Sequence, residues 1–344
     1  MLVVGACTST RAFVDANGRV VPGSVAAMET VRLGGVDQSV WFRGRSTSAV
    51  PLVLLHGGPG ASESALFRHY DAALENHFVV VYWEQRGAGR SFHANVPRSS
   101  MTIARLLDDL DELVDTVRAR FGAERVVVLG HSWGTILGTM YANAHPEKVL
   151  AYVGVAQIAN FPEGERQSLA WAIDQATSRG DAKALRELRA MLPAPRTVDD
   201  ELTLGQWVER FGGTLRGGLS TRSLIWAALR TDEAGVMDLV RFGRGNRFSL
   251  TALRPEYSRV DLTRFRTFKV PIVFMLGRHD WHVPSVLAAK YFEQIDAPVK
   301  HLVWFERSAH NPPFEEPAEF VRALVATASR DNVADTTARA PGRF

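Results

Sequence analysis

The residues best suited to chemistry are Gly130-His131-Ser132-Trp133-Gly134, which follow an apolar run at 126–129 and precede a helical stretch at 135–141. A serine between two glycines at this spacing, on a strand-to-helix turn, is the pattern of a nucleophile held on a sharp, strained bend. The glycines are needed because side chains two positions either side of the serine would clash as the chain turns. A serine hydroxyl attacks a carbonyl only when a base takes its proton. In the chain order that goes with this turn, the acid and then the base follow the serine.

The search for an acid therefore runs to strand ends beyond position 132. The apolar run at 270–276 ends in Gly277-Arg278-His279-Asp280, which puts Asp280 on a loop just past a buried strand. Catalytic and ligand groups gather at such C-terminal strand ends. Three histidines follow. His282 is too near Asp280 in sequence to swing independently, His301 falls inside a strand run, and His310 lies in the loop Arg307-Ser308-Ala309-His310-Asn311-Pro312. His310 is the expected base, with Asp280 fixing its tautomer and stabilising the imidazolium. Pro312 and Pro313 are expected to prevent an immediate helix there and to hold the loop.

Charge stabilisation should come from His56-Gly57-Gly58-Pro59-Gly60, another strand-end turn. The backbone N–H of Gly58, paired with that of Trp133, is the expected oxyanion hole, each donor supplying about 3–4 kcal/mol in the transition state. The loop lacks the lysine of a phosphate-binding G-x-x-x-x-G-K-[ST] sequence and does not fit G-x-G-x-x-G. Glu84-Gln85-Arg86-Gly87-Ala88-Gly89-Arg90-Ser91 follows the next strand run and reads as a structural turn beside the site. The histidines are scattered without metal-ligand spacing, so no metal and no cofactor are expected.

The elements that must position these groups are legible as alternating runs. Apolar runs at 51–55, 78–83, 125–129 and 270–276 suit strands buried on both faces, with a last strand at 299–305. Before them, 12–15 and 19–21 about Asn17-Gly18 form a hairpin pattern, and 29–33 and 38–42 a second pair about Gly34-Gly35. Ile103, Leu106, Leu107, Leu110, Leu113, Val114 and Val117 make a helical stripe whose other face carries Asp108, Asp109, Asp111 and Glu112. Strands alternating with helices predict an α/β fold with a mostly parallel central sheet flanked by helices. Residues 158–262 break the alternation with helical patches at 169–176, 184–192 and 224–229, and read as a helical cap inserted after the sixth strand. The expected divisions are an N-terminal extension at 1–27, a core at 28–157 and 263–328, the cap at 158–262, and a disordered tail at 329–344.

Together these motifs resemble the α/β-hydrolase fold and, within it, the proline iminopeptidase-like branch. The resemblance rests on His56 to Gly60, on Glu84 to Ser91 (Glu in place of the family's Asp), on Ser132-Trp133-Gly134, on Gly277 to Asp280, and on His310 to Pro317, and spans about 28–157 and 262–326. It implies a serine hydrolase working through an acyl-enzyme on an ester or amide bond. Epoxide hydrolases and haloalkane dehalogenases of this fold use an aspartate nucleophile, whereas position 132 is serine. The resemblance stops at the cap. Proline iminopeptidases hold the substrate's amino group with cap glutamates, one in a W-S-x-W-E helix, but Leu224-Ile225-Trp226-Ala227-Ala228-Leu229-Arg230 has no glutamate in register. Residues 158–262 carry 15 Lys+Arg and 14 Asp+Glu, a net of +1, where an amine pocket would more naturally be acidic. Glu201, Glu209 or Glu233 could serve, and spacing selects none. Trp171, Trp207 and Trp226 are the expected apolar pocket walls, with packing within the cap as the alternative. The functional expectation is thus an iminopeptidase-like serine hydrolase, with a carboxylesterase or lactonase as the alternative and a non-catalytic receptor or scaffold as a remote one.

Composition bounds the rest. Forty Lys+Arg against 37 Asp+Glu leave +3 over 344 residues with no long run of like charge, so neither nucleic acid nor an anionic membrane surface is an expected partner. The expected partner is a small ester, lactone or short peptide; oligomeric state has no signature. No apolar stretch is long enough for an integral membrane segment. The single cysteine, Cys7, excludes a disulfide framework. Val4-Gly5-Ala6-Cys7 resembles a lipobox, but the chain as written has no basic start or apolar core before it. The expectation is a cytoplasmic protein, the alternative a cell-envelope lipoprotein anchored at Cys7 with a start upstream.

Overall fold

The computed structural model describes residues 10–328; Cys7 and the tail expected at 329–344 lie outside the described residues. The strands are β1 (Val25–Leu33), β2 (Val36–Gly44), β3 (Val50–Leu55), β4 (Phe78–Trp83), β5 (Val126–His131), β6 (Val149–Val155), β7 (Ile272–Gly277) and β8 (Lys300–Phe305). They form one sheet in the order β1-β2-β4-β3-β5-β6-β7-β8. β1 pairs antiparallel with β2, and β2 antiparallel with β4, while every pairing from β4 to β8 is parallel. The runs read from sequence thus become strands, as their two-sided hydrophobicity requires. β6 is the one that sequence reasoning did not single out, because Ala151 and Gly154 dilute its apolar character.

Alternate residues of the central strands enter two cores. Val53, Leu55, Val126 and Val128 face one layer; Leu52, Leu54, Val127 and Leu129 face the other. The first layer is covered by α2 (Ile103–Phe121), α3 (Gly134–Ala144) and α9 (Ser285–Gln294), the second by α1 (Ser64–Tyr70) and α11 (Pro317–Ala328). On α2 the predicted apolar stripe is buried except for a half-buried Leu107. Asp109 departs from expectation. Far from lying on the solvated face, it is fully buried, and its carboxylate accepts from Arg86 Nε at 2.8 Å, Arg86 Nη2 at 2.9 Å and Gln38 Nε2 at 2.8 Å. Arg86 also donates to the carbonyls of Leu33 and Gly34, which explains what the Glu84–Ser91 turn does with its arginine.

Between β6 and β7 run five helices: α4 (Phe161–Ser178), α5 (Ala182–Arg189), α6 (Val198–Arg210), α7 (Thr221–Leu229) and α8 (Val236–Tyr257). The ends of this segment are pinned together, Leu262 N donating to Ala159 O at 2.7 Å and Phe161 N to Val260 O at 2.8 Å. Leu169, Leu188, Leu204 and Trp207 centre a small core of its own. At the N-terminus the hairpin expected about Asn17-Gly18 is reduced to a single bridge, Val14 to Val20. The expectation that Pro312 and Pro313 exclude an immediate helix is corrected. α10 (Pro312–Glu315) begins on them, because proline's missing N–H costs nothing in a helix's first turn.

Candidate active site

Chain order and strand order diverge at β3, which has β4 on one side and β5 on the other. The crevice at such a reversal, beyond the C-terminal strand ends, is where α/β sheets bind ligands. Here the loop after β3 brings Gly58, and the turn after β5 brings Ser132 and Trp133, to the wall of one cavity of about 270 Å³.

Ser132 has φ 52°, a left-handed conformation unfavourable for a residue with a side chain. The bend is held by Ser132 N donating to Val155 O at 3.0 Å and by the Thr135 hydroxyl donating to Ser132 O at 2.6 Å. A Cβ on Gly130 would come within 2.6 Å of the Gly134 carbonyl, and one on Gly134 would enter the Leu55 carbonyl. The two glycines are therefore fixed by close backbone approach. Trp133 stands at the start of α3, where amides have no acceptor within the helix. Its indole N–H donates to Gln85 Oε1 at 2.9 Å, while Gln85 Nε2 donates to His56 O at 3.1 Å, so the three motif loops brace one another. Gly58 has φ 114°, and a Cβ there would lie 2.6 Å from Ala61 N.

His310 and Asp280 come together although they follow different strands. Nδ1 of His310 donates to Asp280 Oδ2 at 2.8 Å, and Asp280 Oδ1 accepts from the main-chain N–H of His282 at 2.9 Å and Val283 at 2.8 Å. Both carboxylate oxygens are thus engaged and the imidazole's tautomer is set, with Nε2 left as the acceptor. Burial, then the positive charge of nearby His131, push the His310 pKa well below the ordinary histidine value, so the ring rests neutral. The histidine loop is shaped by Glu315, whose carboxylate accepts from the N–H groups of Ala309, Asn311 and Arg216. His282 lines the cavity with its ring 4.6 Å from that of His310.

The expected tryptophan walls are not where sequence reasoning put them. The cavity is lined by Phe161, Leu204, Leu250, Tyr257 and Leu287, among others, and not by Trp171, Trp207 or Trp226. Trp171 stacks on Trp281 with centroids 5.4 Å apart, Trp207 is buried in the helical segment's own core with its N–H on Glu187, and Trp226 is 56% exposed. Trp171 and Trp207 thus satisfy local packing demands, while Trp226 is largely open to solvent.

What sequence reasoning missed is Glu165 and its pairing with Glu201, one of the three cap glutamates it weighed. Glu165 of α4 and Glu201 of α6 both line the cavity. Arg254 of α8 lies beside them, its Nε 2.5 Å from Glu201 Oε1 and an Nη 3.9 Å from Glu165 Oε1, and the Tyr257 hydroxyl donates to Glu201 Oε2 at 2.7 Å. Oε1 of each glutamate is buried; that of Glu201 is ion-paired with Arg254, and the two carboxyl groups are themselves hydrogen-bonded. Burial, then the charge of Glu201, push the Glu165 pKa up to about 8 against the pull of Arg254. Of the other two glutamates weighed, Glu209 accepts from Thr221, and Glu233 is buried beside Arg43 and Arg68. Among the described residues no cluster of His, Cys, Asp or Glu could hold a metal ion.

This arrangement of strands, bend and loops defines a class, and similarity gives it a name. Residues 50–317 match the model of the alpha/beta hydrolase fold, so the chain belongs to the α/β hydrolase fold family. Within that family it falls in the proline iminopeptidase-like branch of serine hydrolases. It is 32% identical over 308 residues to the Bacillus subtilis protein named "Probable aminopeptidase YbaC", covering 88% of this chain and 96% of that one. Among solved structures, the proline iminopeptidase of Mycobacterium smegmatis superposes with a TM-score of 0.60 at 19% identity, covering 92% of this chain and all of that one. An esterase from a Rhodococcus species gives 0.58 at 20%, covering 89% of this chain and 100% of that one. These two likenesses speak to fold alone.

Proposed function

We propose that this serine hydrolase removes an N-terminal residue from small peptide-like substrates, using Ser132 as nucleophile, His310 as base and Asp280 as its orienting acid. Ser132 Oγ attacks the carbonyl carbon as its proton passes to His310 Nε2. The N–H groups of Gly58 and Trp133 hold the resulting oxyanion. The imidazolium, countered by Asp280, returns the proton to the leaving amine, and water then releases the acyl group by the same steps. The observation that carries the substrate reading is the carboxylate pair. Glu165 and Glu201 place two carboxylates, one of them ion-paired with Arg254, on the wall of the cavity that holds Ser132. With both ionised, Arg254 offsets one charge and leaves the group at −1, complementary to one substrate ammonium.

A carboxylesterase or lactonase would use the same nucleophile and oxyanion donors. The apolar remainder of the cavity (Phe161, Leu204, Leu250, Leu287) favours that reading, because an ester's acyl chain needs nothing more. A fluorophosphonate probe should label the wild-type protein and not Ser132→Ala. Prolyl or other aminoacyl naphthylamides should be cleaved alongside p-nitrophenyl esters. Rapid ester turnover with no anilide cleavage would replace the peptidase by the esterase, and equal labelling of Ser132→Ala would remove Ser132 from its role.

A further inference from the structure

Beneath the serine lies a pair of side chains that the reaction above does not use. His131, immediately before Ser132, is 1% exposed. Its Nε2 lies 3.1 Å from the main-chain oxygen of His310. A carbonyl oxygen has no proton to give, so Nε2 must carry one. Its Nδ1 lies 2.9 Å from both Oε1 and Oε2 of Glu63. Equal approach to two oxygens is the geometry of one N–H shared by a carboxylate; a protonated carboxyl would offer its hydrogen from one oxygen only. Glu63 Oε2 further accepts the Gly57 N–H at 2.8 Å. Both ring nitrogens of His131 are therefore donors.

We infer that Glu63 and His131 form a buried carboxylate–imidazolium pair that positions the reacting groups, tying the loop of Gly58, the Ser132 bend and the His310 loop to one another and keeping His310 in its neutral form. The inference rests on the roles given above to Ser132, His310 and Gly58. Each tie is one hydrogen bond from a reacting residue. Glu63 holds the amide next to Gly58, His131 is the residue before the nucleophile, and its far nitrogen holds the carbonyl of the base. The packing leaves no slack, since a Cβ on Gly57 would sit 3.3 Å from Glu63 Oε1 and 3.4 Å from Ser132 Cβ. Phe67 and Phe314 enclose the ring of His131.

The electrostatics follow from the same contacts. The titratable groups facing His131 are Glu63, Asp280, His56, His282 and His310. Burial works against the His131 imidazolium, but the charge and hydrogen bond of Glu63, with the His310 carbonyl and Asp280, outweigh it and raise its pKa. The rings of His131 and His310 are centred 5.2 Å apart. A cation that close opposes a second one, so the base stays unprotonated in the resting enzyme. When His310 takes the serine's proton, Asp280 at 2.8 Å supplies the compensating charge.

The direct test is ring nitrogen NMR of the whole wild-type protein. His131 should show two protonated nitrogens across about pH 6–8, and a neutral tautomer at pH 7 would overturn the inference. The kinetic test uses Glu63→Gln and His131→Gln. Each should lower kcat about tenfold or more with KM changed by less than about threefold. In His131→Gln, with the cation gone and the Glu63 carboxyl left, His310 holds its proton to higher pH, so the acid limb of kcat/KM should move up by about half a pH unit or more. The double variant should cost little more than the worse single one, and Glu63→Asp should recover part of kcat. An unchanged kcat in folded Glu63→Gln, an unmoved acid limb in folded His131→Gln, or additive losses, would also overturn it. If a variant fails to fold, the NMR titration decides. Failure of the Ser132→Ala labelling test would leave the protonation of His131 standing, so the two failures are distinguishable.

Discussion

At the scale of residues, the division of labour among acidic groups decides what this molecule can do. Asp280 serves a histidine, Glu63 serves another, and Glu165 and Glu201 stand together on the wall of the cavity beside Arg254. If Glu165 and Glu201 hold a substrate ammonium, Glu165→Gln should raise KM for free-amine substrates by about tenfold or more while leaving simple esters within about twofold. The pH dependence has a definite sign. Glu165 is pushed up to about 8 and is protonated below that value, and binding a cation requires it ionised. For free-amine substrates kcat/KM should therefore climb from pH 6 toward about 8, and Glu165→Gln should lose that limb. An identical profile in wild type and variant would separate Glu165 from binding. Ser132, Asp280 and His310, the proposed nucleophile, acid and base, could be singled out because each carries a motif at a strand end. Glu201 stood only as one of three glutamates that spacing could not separate and Glu165 was not singled out, because the two sit in different helices, 36 positions apart, with no motif around either. Only the tertiary fold makes them neighbours.

At the scale of elements, legibility followed hydrophobic contrast. β3, β4 and β7 are continuous apolar runs and could be read directly, whereas β6 carries Ala151 and Gly154 and could not. Of the stripe on α2, periodicity gave the apolar face but misplaced Asp109, because pattern alone cannot reveal that a buried arginine waits 23 residues away in the Glu84–Ser91 turn. That pair joins α2 to the turn and, through Gln38, to β2. Removing one partner of a buried ion pair leaves the other charge uncompensated, typically costing about 3–5 kcal/mol. Asp109→Ala should lower the unfolding free energy by that amount in chemical denaturation, with the double variant Asp109→Ala/Arg86→Met recovering part of it. A loss below about 1 kcal/mol would show that solvent reaches the arginine.

At the scale of the whole molecule, the α/β sheet and the five-helix segment meet at the candidate site and contribute different things. Gly58, Ser132, Asp280 and His310 stand on loops at the sheet's strand ends, while Glu165 and Glu201 come from the segment between β6 and β7. We take 158–262 as a cap whose near-zero net charge hides a local acidic feature, which is why composition pointed away from an amine pocket. The two layers are tied by Arg90, whose guanidinium reaches both oxygens of Asp238 at 3.0 Å, and by Arg216 N on Glu315. Among the described residues no helix is long and apolar enough to cross a membrane. Substrate choice, on this account, is made across the boundary between the layers, by a charge on the cap acting on a carbonyl presented to the sheet. The most direct measurement is kcat/KM for one aminoacyl naphthylamide with its amino group free and with the same group acetylated. The account predicts a preference for the free amine of about a hundredfold or more, abolished by Glu165→Gln together with Glu201→Gln. Equal rates on the free and acetylated substrates would contradict it.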